Sequence, residues 1–258
     1  MSFNLLAISV GNTRTRLGQF LGGKFIEDAT LENAHFSKLT DAIAQAWAPL
    51  ADKDDAIVML ASVNPPVAER VEAFAKETLK AYKVLRVERD INIPIGRQLD
   101  PEAIVGEDRL LNAAAAFDVL KQAVVIVDCG TAITVDFVDG AGTFHGGAIA
   151  PGATMMLKAL REHTAQLPEV TPARPAEVIG HNTIEAMRSG MYHGLRGMVK
   201  ELTEQYAEVA GTYPMIVVTG GDAPLLFEGD ELIDRIVPQL TIIGMAATLR
   251  RAIEAETE

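Results

Sequence analysis

Twice along this chain an apolar run enters a tight Gly/Thr turn and leaves it as a second strand pattern. The first copy is LLAISVGNTRTRLGQF, Leu5 to Phe20, and the second is VVIVDCGTAITVDFV, Val124 to Val138. Each is followed by a glycine turn, Gly22-Gly23 or Asp139-Gly140, and then by another short strand pattern. Gly11 and Gly130 carry no Cβ, so the backbone there allows a ligand to approach closely. The amides and hydroxyls of Asn12, Thr13, Thr131 and Thr134 then face whatever sits above each turn. Successive backbone N–H groups in turns bind anions, so two such turns suggest two clamps on one phosphate chain. Taken singly, either turn is equally well read as an ordinary β-hairpin. Recurrence in both halves weighs against that reading, as does Asp128, a carboxylate closing the apolar run Val124-Val127, where an uncompensated charge is costly.

Composition narrows the function classes. The chain has 258 residues, 48% of them hydrophobic, enough for one large domain or two small ones. A net charge of −12 disfavours nucleic acid as a partner, so a polyanionic ligand must be held by local amides, Arg and metal ions. The single Cys excludes a disulfide framework and a multi-Cys zinc site. In its Asp128-Cys129-Gly130 setting it reads as a buried turn residue rather than a reactive thiol. Five scattered histidines lack zinc spacing, and no transition metal is expected. No signal peptide and no apolar stretch of membrane-spanning length is evident, so a cytoplasmic protein with no membrane partner is expected.

The first half reads as strands Leu5-Val10, Thr13-Phe20 and Lys24-Thr30, then helix Lys38-Trp47 capped by Ser37 and strand Ala56-Val63. A helix opened by Asn64-Pro65-Pro66 runs to about Tyr82, followed by strand Val84-Val87 and a surface loop from Asp90 to Pro101. Gly106-Glu107-Asp108-Arg109 opens an Ala-rich helix to about Leu120. The second half repeats three strands (Val124-Asp128, Ile133-Val138, Thr143-Ala150), then a helix from Pro151-Gly152 to about Arg161 and a mobile proline-rich loop over Leu167-Gly180. A long helix starts at Asn182, whose side chain caps it while Glu185 bonds back. Ile184, Met187, Met191, Leu195, Met198 and Leu202 form its core stripe. Ala186, Gly190, Gly194 and Gly197 stand on another face, where interior glycines cost roughly 1 kcal/mol each and call for a close helix, internal or from a second subunit. Strand Met215-Val218 ends in Thr219-Gly220-Gly221-Asp222, and helix Leu240-Ile253 closes the chain.

Neither a Walker A pattern nor a GxGxxG after a strand is present, which disfavours P-loop kinases and Rossmann oxidoreductases. Asp108 has two readings. An acidic residue in a first helical turn commonly serves the helix dipole. Beside Gly106 and the planar donor fork of Arg109, it also suits a general base next to an anion anchor, as a phosphoryl acceptor bearing a hydroxyl and a carboxylate requires.

At this point the motifs resemble a known family. VGNT at Val10-Thr13, GEDR at Gly106-Arg109, DCGTAIT at Asp128-Thr134, GGAIAPG at Gly146-Gly152, NTIEAM at Asn182-Met187 and TGG at Thr219-Gly221 occur in order over nearly the whole chain. Together they closely resemble type III pantothenate kinase, of the acetate/sugar kinase, Hsp70 and actin superfamily. The resemblance implies an α/β fold of two RNase H-like lobes, 1–121 and 122–258, each a mixed sheet flanked by helices, with ATP in the cleft and a homodimer. It implies ATP-dependent phosphorylation of pantothenate to 4′-phosphopantothenate, the entry to coenzyme A. Asp108 is then the general base, with Gly106, Glu107, Arg109, Thr183 and Leu99 on pantothenate. The first phosphate turn is Ser9, Val10, Gly11, Asn12, Thr13, Arg14, Thr15 and Arg16. Thr131 touches ATP, Gly220 and Gly221 lie near the adenosine, Asp128 is associated with a monovalent cation (potassium or ammonium), and Mg²⁺ accompanies ATP.

Two positions depart from the family pattern. The first turn commonly begins with an aspartate, as DxGNT, where this chain has Ser9, a neutral hydroxyl that cannot supply a metal-positioning charge. An aromatic residue is expected on the acceptor side about seven positions before Gly106, and the chain has Leu99. Ser9 leaves an alternative: a catalytically weak or silent homologue that binds nucleotide or pantothenate in a regulatory or accessory role. Asp108, Arg109, Asp128 and Thr183 favour the active enzyme.

Overall fold

The computed structural model describes residues 2–81 and 83–257. Backbone contacts divide the chain into two compact units, one made of Met1–Ile95, Asp100–Val119 and Gln239–Glu258, the other of Gly96–Leu99 and Leu120–Pro238. Elements are numbered in chain order. The first unit holds β1 (Asn4–Val10), β2 (Arg14–Leu21), β3 (Lys24–Glu32), α1 (Phe36–Trp47), β4 (Ala56–Ser62), α2 (Pro65–Glu77), β5 (Lys83–Arg86), α3 (Glu107–Leu120) and α7 (Leu240–Thr257). Sequence order places the terminal helix with the second half. It packs instead on β1 and β2, because Leu240, Ile242, Met245 and Leu249 are its buried apolar residues and the first sheet needs cover.

The first sheet has the order β3-β2-β1-β4-β5, with β1 antiparallel to β2 and parallel to β4. β1 is buried on both faces, which is why it reads as the near-continuous run LLAISV rather than as an alternation. Leu6, Ile8 and Val10 meet Leu39, Ile43 and Trp47 of α1 and Ala68 and Val71 of α2. On α3 and α7, Thr241 Oγ1 donates to Asn112 Oδ1 at 2.8 Å in a buried bond, and Asp118 receives both Arg250 and Arg251.

The second unit holds β6 (Gly96–Arg97), β7 (Val124–Cys129), β8 (Ala132–Val138), β9 (Thr143–Pro151), α4 (Ala153–Glu162), α5 (Thr183–Ala210), β10 (Met215–Thr219), α6 (Ala223–Phe227) and β11 (Arg235–Ile236). Its sheet runs β11-β10-β7-β8-β9-β6. Leaving out the two-residue β6, this is the order and sense of the first sheet over again: an antiparallel three-strand meander, then a parallel strand beside the first. The internal repeat therefore lies in topology as well as in motif. Val125, Val127, Val135 and Phe137 pack on Met187, Met191, Leu195 and Val199 of α5 and on Leu157 of α4.

Several local expectations are revised. α1 begins at Phe36, with His35 at the cap position and no side-chain cap bond. Ser37 is thus inside the first turn, where its carbonyl accepts the Thr40 hydroxyl, because Phe36 is drawn onto the core with Arg70 stacked 3.6 Å over its ring. Helix α2 stops at Glu77, and Tyr82 lies outside the described residues. The stretch from Asp90 to Pro101 is mostly irregular, yet Gly96–Arg97 pairs in parallel with β9. Asn182 does cap α5, its Oδ1 accepting from Glu185 N at 3.0 Å, but the Glu185 carboxylate turns to Arg188 instead of closing a capping box. Ile184 is 41% exposed; the buried stripe follows the four-residue ridge Met187, Met191, Leu195, Val199 and Thr203. The irregular segment before α5 is tied down by Ser189 Oγ donating to Val178 O and by Arg188 to Thr171 O. Among the described residues no helix is long and apolar enough to cross a membrane.

Gly244 of α7 lies so close to Leu111 of α3 that a Cβ would overlap the Leu111 carbonyl oxygen. Gly244→Ala is expected to lower stability by about 1–3 kcal/mol through overpacking, read as a shifted denaturant midpoint at unchanged m-value.

Candidate active site

In the first unit, the pairing Val10↔Thr15 brings β1 and β2 together around a short turn, closed by Gly11 N–H donating to Arg14 O at 2.9 Å. Ser9 and Arg16 face each other across this ladder, and Asn12, Thr13 and Arg14 are exposed at its tip. Thr15 is fully buried, its Oγ1 donating to Asn33 Oδ1 at 2.7 Å. Asn33 Nδ2 in turn donates to the carbonyls of Gly11 (2.8 Å) and Asn12 (3.2 Å), and Asn64 Nδ2 reaches Asn12 O at 3.2 Å.

The same unit carries Gly106-Glu107-Asp108-Arg109 at the head of α3. Asp108 Oδ1 accepts the Arg109 amide at 2.8 Å. Burial pushes the Asp108 carboxyl above the ordinary carboxylate range, opposed by that bond and by the Arg109 charge. Glu107 Oε2 accepts the Ser62 amide at the end of β4 at 2.7 Å, so the carboxylate ties α3 to the sheet. Burial also raises the Glu107 carboxyl, with the Ser62 bond working against it.

In the second unit, Cys129↔Ile133 closes the corresponding turn, with Gly130 N–H donating to Ala132 O at 3.1 Å. Thr131 is exposed at its tip, and its carbonyl accepts from Gly152 N at the start of α4. Thr134 Oγ1 is buried without a hydrogen-bond partner among the described residues. Gly220 closes in from the end of β10 with φ +94°, and a Cβ there would stand 2.5 Å from Cys129 O and 2.6 Å from an Asp128 carboxylate oxygen. Only glycine serves a left-handed position packed that tightly. Asp222 N–H then donates to Cys129 O at 2.9 Å. Cys129 itself is buried, and its thiol is raised far above its ordinary value by burial and by the charges of Asp128 and Asp222. As a hard-oxygen donor at the glycine-lined rim of this turn, Asp128 fits a monovalent or magnesium ion that keeps water or phosphate as its other ligands. Among the described residues no group of three or more His, Cys, Asp or Glu forms a complete metal cage.

Two expected acceptor-side residues stand elsewhere in the second unit. Leu99 packs against β9, its Cδ2 3.4 Å from the Cβ position of Gly146. Thr183, exposed at the start of α5, lines a groove of about 470 Å³ with Met156, Leu160, Leu167, Met187 and Met191.

A family model described as type III pantothenate kinase matches residues 5–205. The type III pantothenate kinase of Dehalococcoides mccartyi (strain ATCC BAA-2266 / KCTC 15142 / 195) is 36% identical over 255 residues, covering 95% of this chain and 96% of that protein. The chain belongs to the type III pantothenate kinase family. It is thereby a kinase, on an actin-type α/β fold of two mixed sheets flanked by helices. Among solved structures, a conserved Baf family protein from Campylobacter jejuni has TM-score 0.63 at 18% identity, over 96% of this chain and 99% of that one. MreB5 of Spiroplasma citri has TM-score 0.52 at 15% identity, over 98% of each chain. These two likenesses concern the fold alone.

Within this kinase fold, sequence reasoning missed Asn33, Asn64 and Asp222. Asn33 sits one residue past β3, where an Asn signals a turn, but its bonds to residues some twenty positions earlier leave no local pattern. Asn64 was legible only as the opening of α2. Because the Cys129 thiol is both buried and strongly raised, a thiol reagent at pH 8 is expected to modify it only as fast as the chain unfolds, which a denaturant-dependent labelling rate measures.

Proposed function

We propose that the chain transfers the γ-phosphoryl group of ATP to the primary hydroxyl of pantothenate, giving ADP and 4′-phosphopantothenate. The observation that carries this reading is the Asp108 carboxylate at the head of α3, raised by burial and flanked by Arg109, in a chain of the type III pantothenate kinase family. Asp108 accepts the proton of the acceptor hydroxyl as that oxygen bonds to the γ-phosphorus and the bond to the ADP oxygen breaks. Arg109 offers its fork to the pantothenate carboxylate, and Gly106, the Glu107 backbone, Leu99 and Thr183 complete the acceptor contacts. Ser9–Arg16 and Thr131 meet the phosphates, and Gly220 and Gly221 lie along the nucleoside. Asp128 would hold a monovalent cation, potassium or ammonium. With Ser9 neutral, it is the one carboxylate that opens either turn. Mg²⁺ on the nucleotide supplies charge neutralisation when bound, alongside the turn amides, and this is where most of the stabilisation of the transferring group arises. The same reading places the enzyme in the cytoplasm, where its substrate ATP is available.

A homodimer belongs to this proposal. Gly190, Gly194 and Gly197 lie inside a 28-residue helix, and at each the position of a Cβ has nothing within 4 Å among the described residues. With nothing among the described residues to compensate them, we assign that face of α5 to a second copy. Gly194→Leu is expected to shift the protein from dimer to monomer in sedimentation velocity. An unchanged sedimentation coefficient would remove α5 from the interface.

Asp108→Asn keeps the acceptor for the Arg109 amide but removes the base. Turnover is expected to fall by about 10²–10⁴-fold with ATP and pantothenate still bound. The raised carboxyl favours its protonated form in the fold. That stabilising preference is complete at pH below the unfolded value and is lost as pH rises through the folded one, so at neutral pH the charge is a cost. The Asn variant should therefore melt no lower than the parent at pH 7. In the parent, kcat/KM should fall on acidification at a pH above the ordinary carboxylate range. A variant that loses binding together with turnover would make Asp108 structural.

A further inference from the structure

The first turn takes its shape from a residue outside it. Asn33 Nδ2 donates to the carbonyls of Gly11 and Asn12, at 2.8 and 3.2 Å, and its own backbone N–H donates to Thr13 O at 2.9 Å. One residue thus collects three consecutive carbonyls. The orientation of its side-chain amide is set by Thr15, whose buried hydroxyl donates to Asn33 Oδ1 at 2.7 Å and leaves Nδ2 facing the turn. Asn64 Nδ2 adds a second donor to Asn12 O at 3.2 Å. In a trans peptide the C=O and N–H of one plane point in opposite directions. Holding the Gly11 and Asn12 carbonyls toward Asn33 therefore aims the amides of Asn12 and Thr13 away from it, on the side of the exposed tip. Two successive amides so aimed make a concavity suited to phosphate oxygens.

We propose that Asn33 is a positioning residue for phosphoryl-donor recognition: it fixes the peptide planes of the first turn so that their amides are presented to the nucleotide phosphates. It acts through the turn, not by touching ATP. The proposal rests on reading Ser9–Arg16 as a phosphate turn. A carbonyl-directed amide is the decisive chemistry, because a carboxylate of the same size would still accept from Thr15 but would repel the carbonyls it faces.

The test is steady-state kinetics with both substrates varied, together with ADP affinity by calorimetry, on the full-length parent and on Asn33→Ala and Asn33→Asp. Loss of well-aimed amides to a charged phosphate predicts a rise in the KM for ATP, and in the Kd for ADP, of about tenfold, larger for Asp than for Ala. The KM for pantothenate should stay within about twofold, since the acceptor contacts are unaffected. Thr15→Val, which keeps the shape of a buried strand residue and frees only the amide orientation, should raise the ATP KM by a smaller factor and keeps the idea testable if the Asn33 variants do not fold. Unchanged ATP KM in the folded variants overturns the proposal, as does a fall in kcat alone that merely tracks the folded fraction in a melt. Gly11→Ala separates the two premises, because its Cβ would stand 2.9 Å from Arg14 O within the turn. If that variant leaves the ATP KM unchanged, the turn is not the phosphate site. If it raises the ATP KM while the Asn33 variants do not, only the role of Asn33 falls.

Discussion

The ladder between a buried strand and its returning partner is the interaction on which the rest of this kinase depends. β1 with β2, and β7 with β8, are antiparallel pairs whose registers end at Val10↔Thr15 and Cys129↔Ile133. Side chains alternate along a strand, so a one-residue slip would turn Leu6, Ile8 and Val10 out of one core and Val125 and Val127 out of the other. Burial thus fixes the register, and the register fixes which residues form each turn. The turn tips are consequences of packing several residues away.

The two turns reach that precision by different means. Around the first, side-chain amides do the holding, with Asn33 and Asn64 reaching in from separate parts of the first unit. Around the second, backbone meets backbone: Gly152 N–H on Thr131 O, Asp222 N–H on Cys129 O, and Gly220 in a left-handed conformation against the turn. Burial first, and then the charges of Asp128 and Asp222 that this arrangement brings close, make the Cys129 thiol reluctant to ionise. The first leaves no carboxylate at the start of its turn, since position 9 is serine. A duplicated topology has therefore been given two unlike electrostatic surroundings.

How far the sequence reveals this depends on the range of the interaction. Strands buried on both faces and helices with sustained apolar spacing were legible, because periodicity is a local property. So were the glycines of the second turn and the Asn182 cap, whose partner is three residues away. Ser37 was misjudged as a cap because the stacking of Arg70 on Phe36 involves residues far apart in sequence. The tie from Glu107 to Ser62 was hidden because the two lie 45 positions apart. Asn33 escaped notice for the same reason. The place of α7 beneath the first sheet was equally hidden, since nothing in an apolar helix states which sheet it covers.

That last feature bears on how the chain is made. The second unit apart from Gly96–Leu99 is one continuous stretch, whereas the first draws on segments to either side of it. A ribosome delivering the chain supplies β1 and β2 before the second unit, and the helix that packs on them only after it. During that interval β1 and β2 lack a native neighbour, and the loop that must finally close spans the whole second unit. Domains fold as units while they emerge, so the later-made unit can be finished first. The first sheet then matures only once α7 has followed, and strands made before the second unit are sealed from water after it.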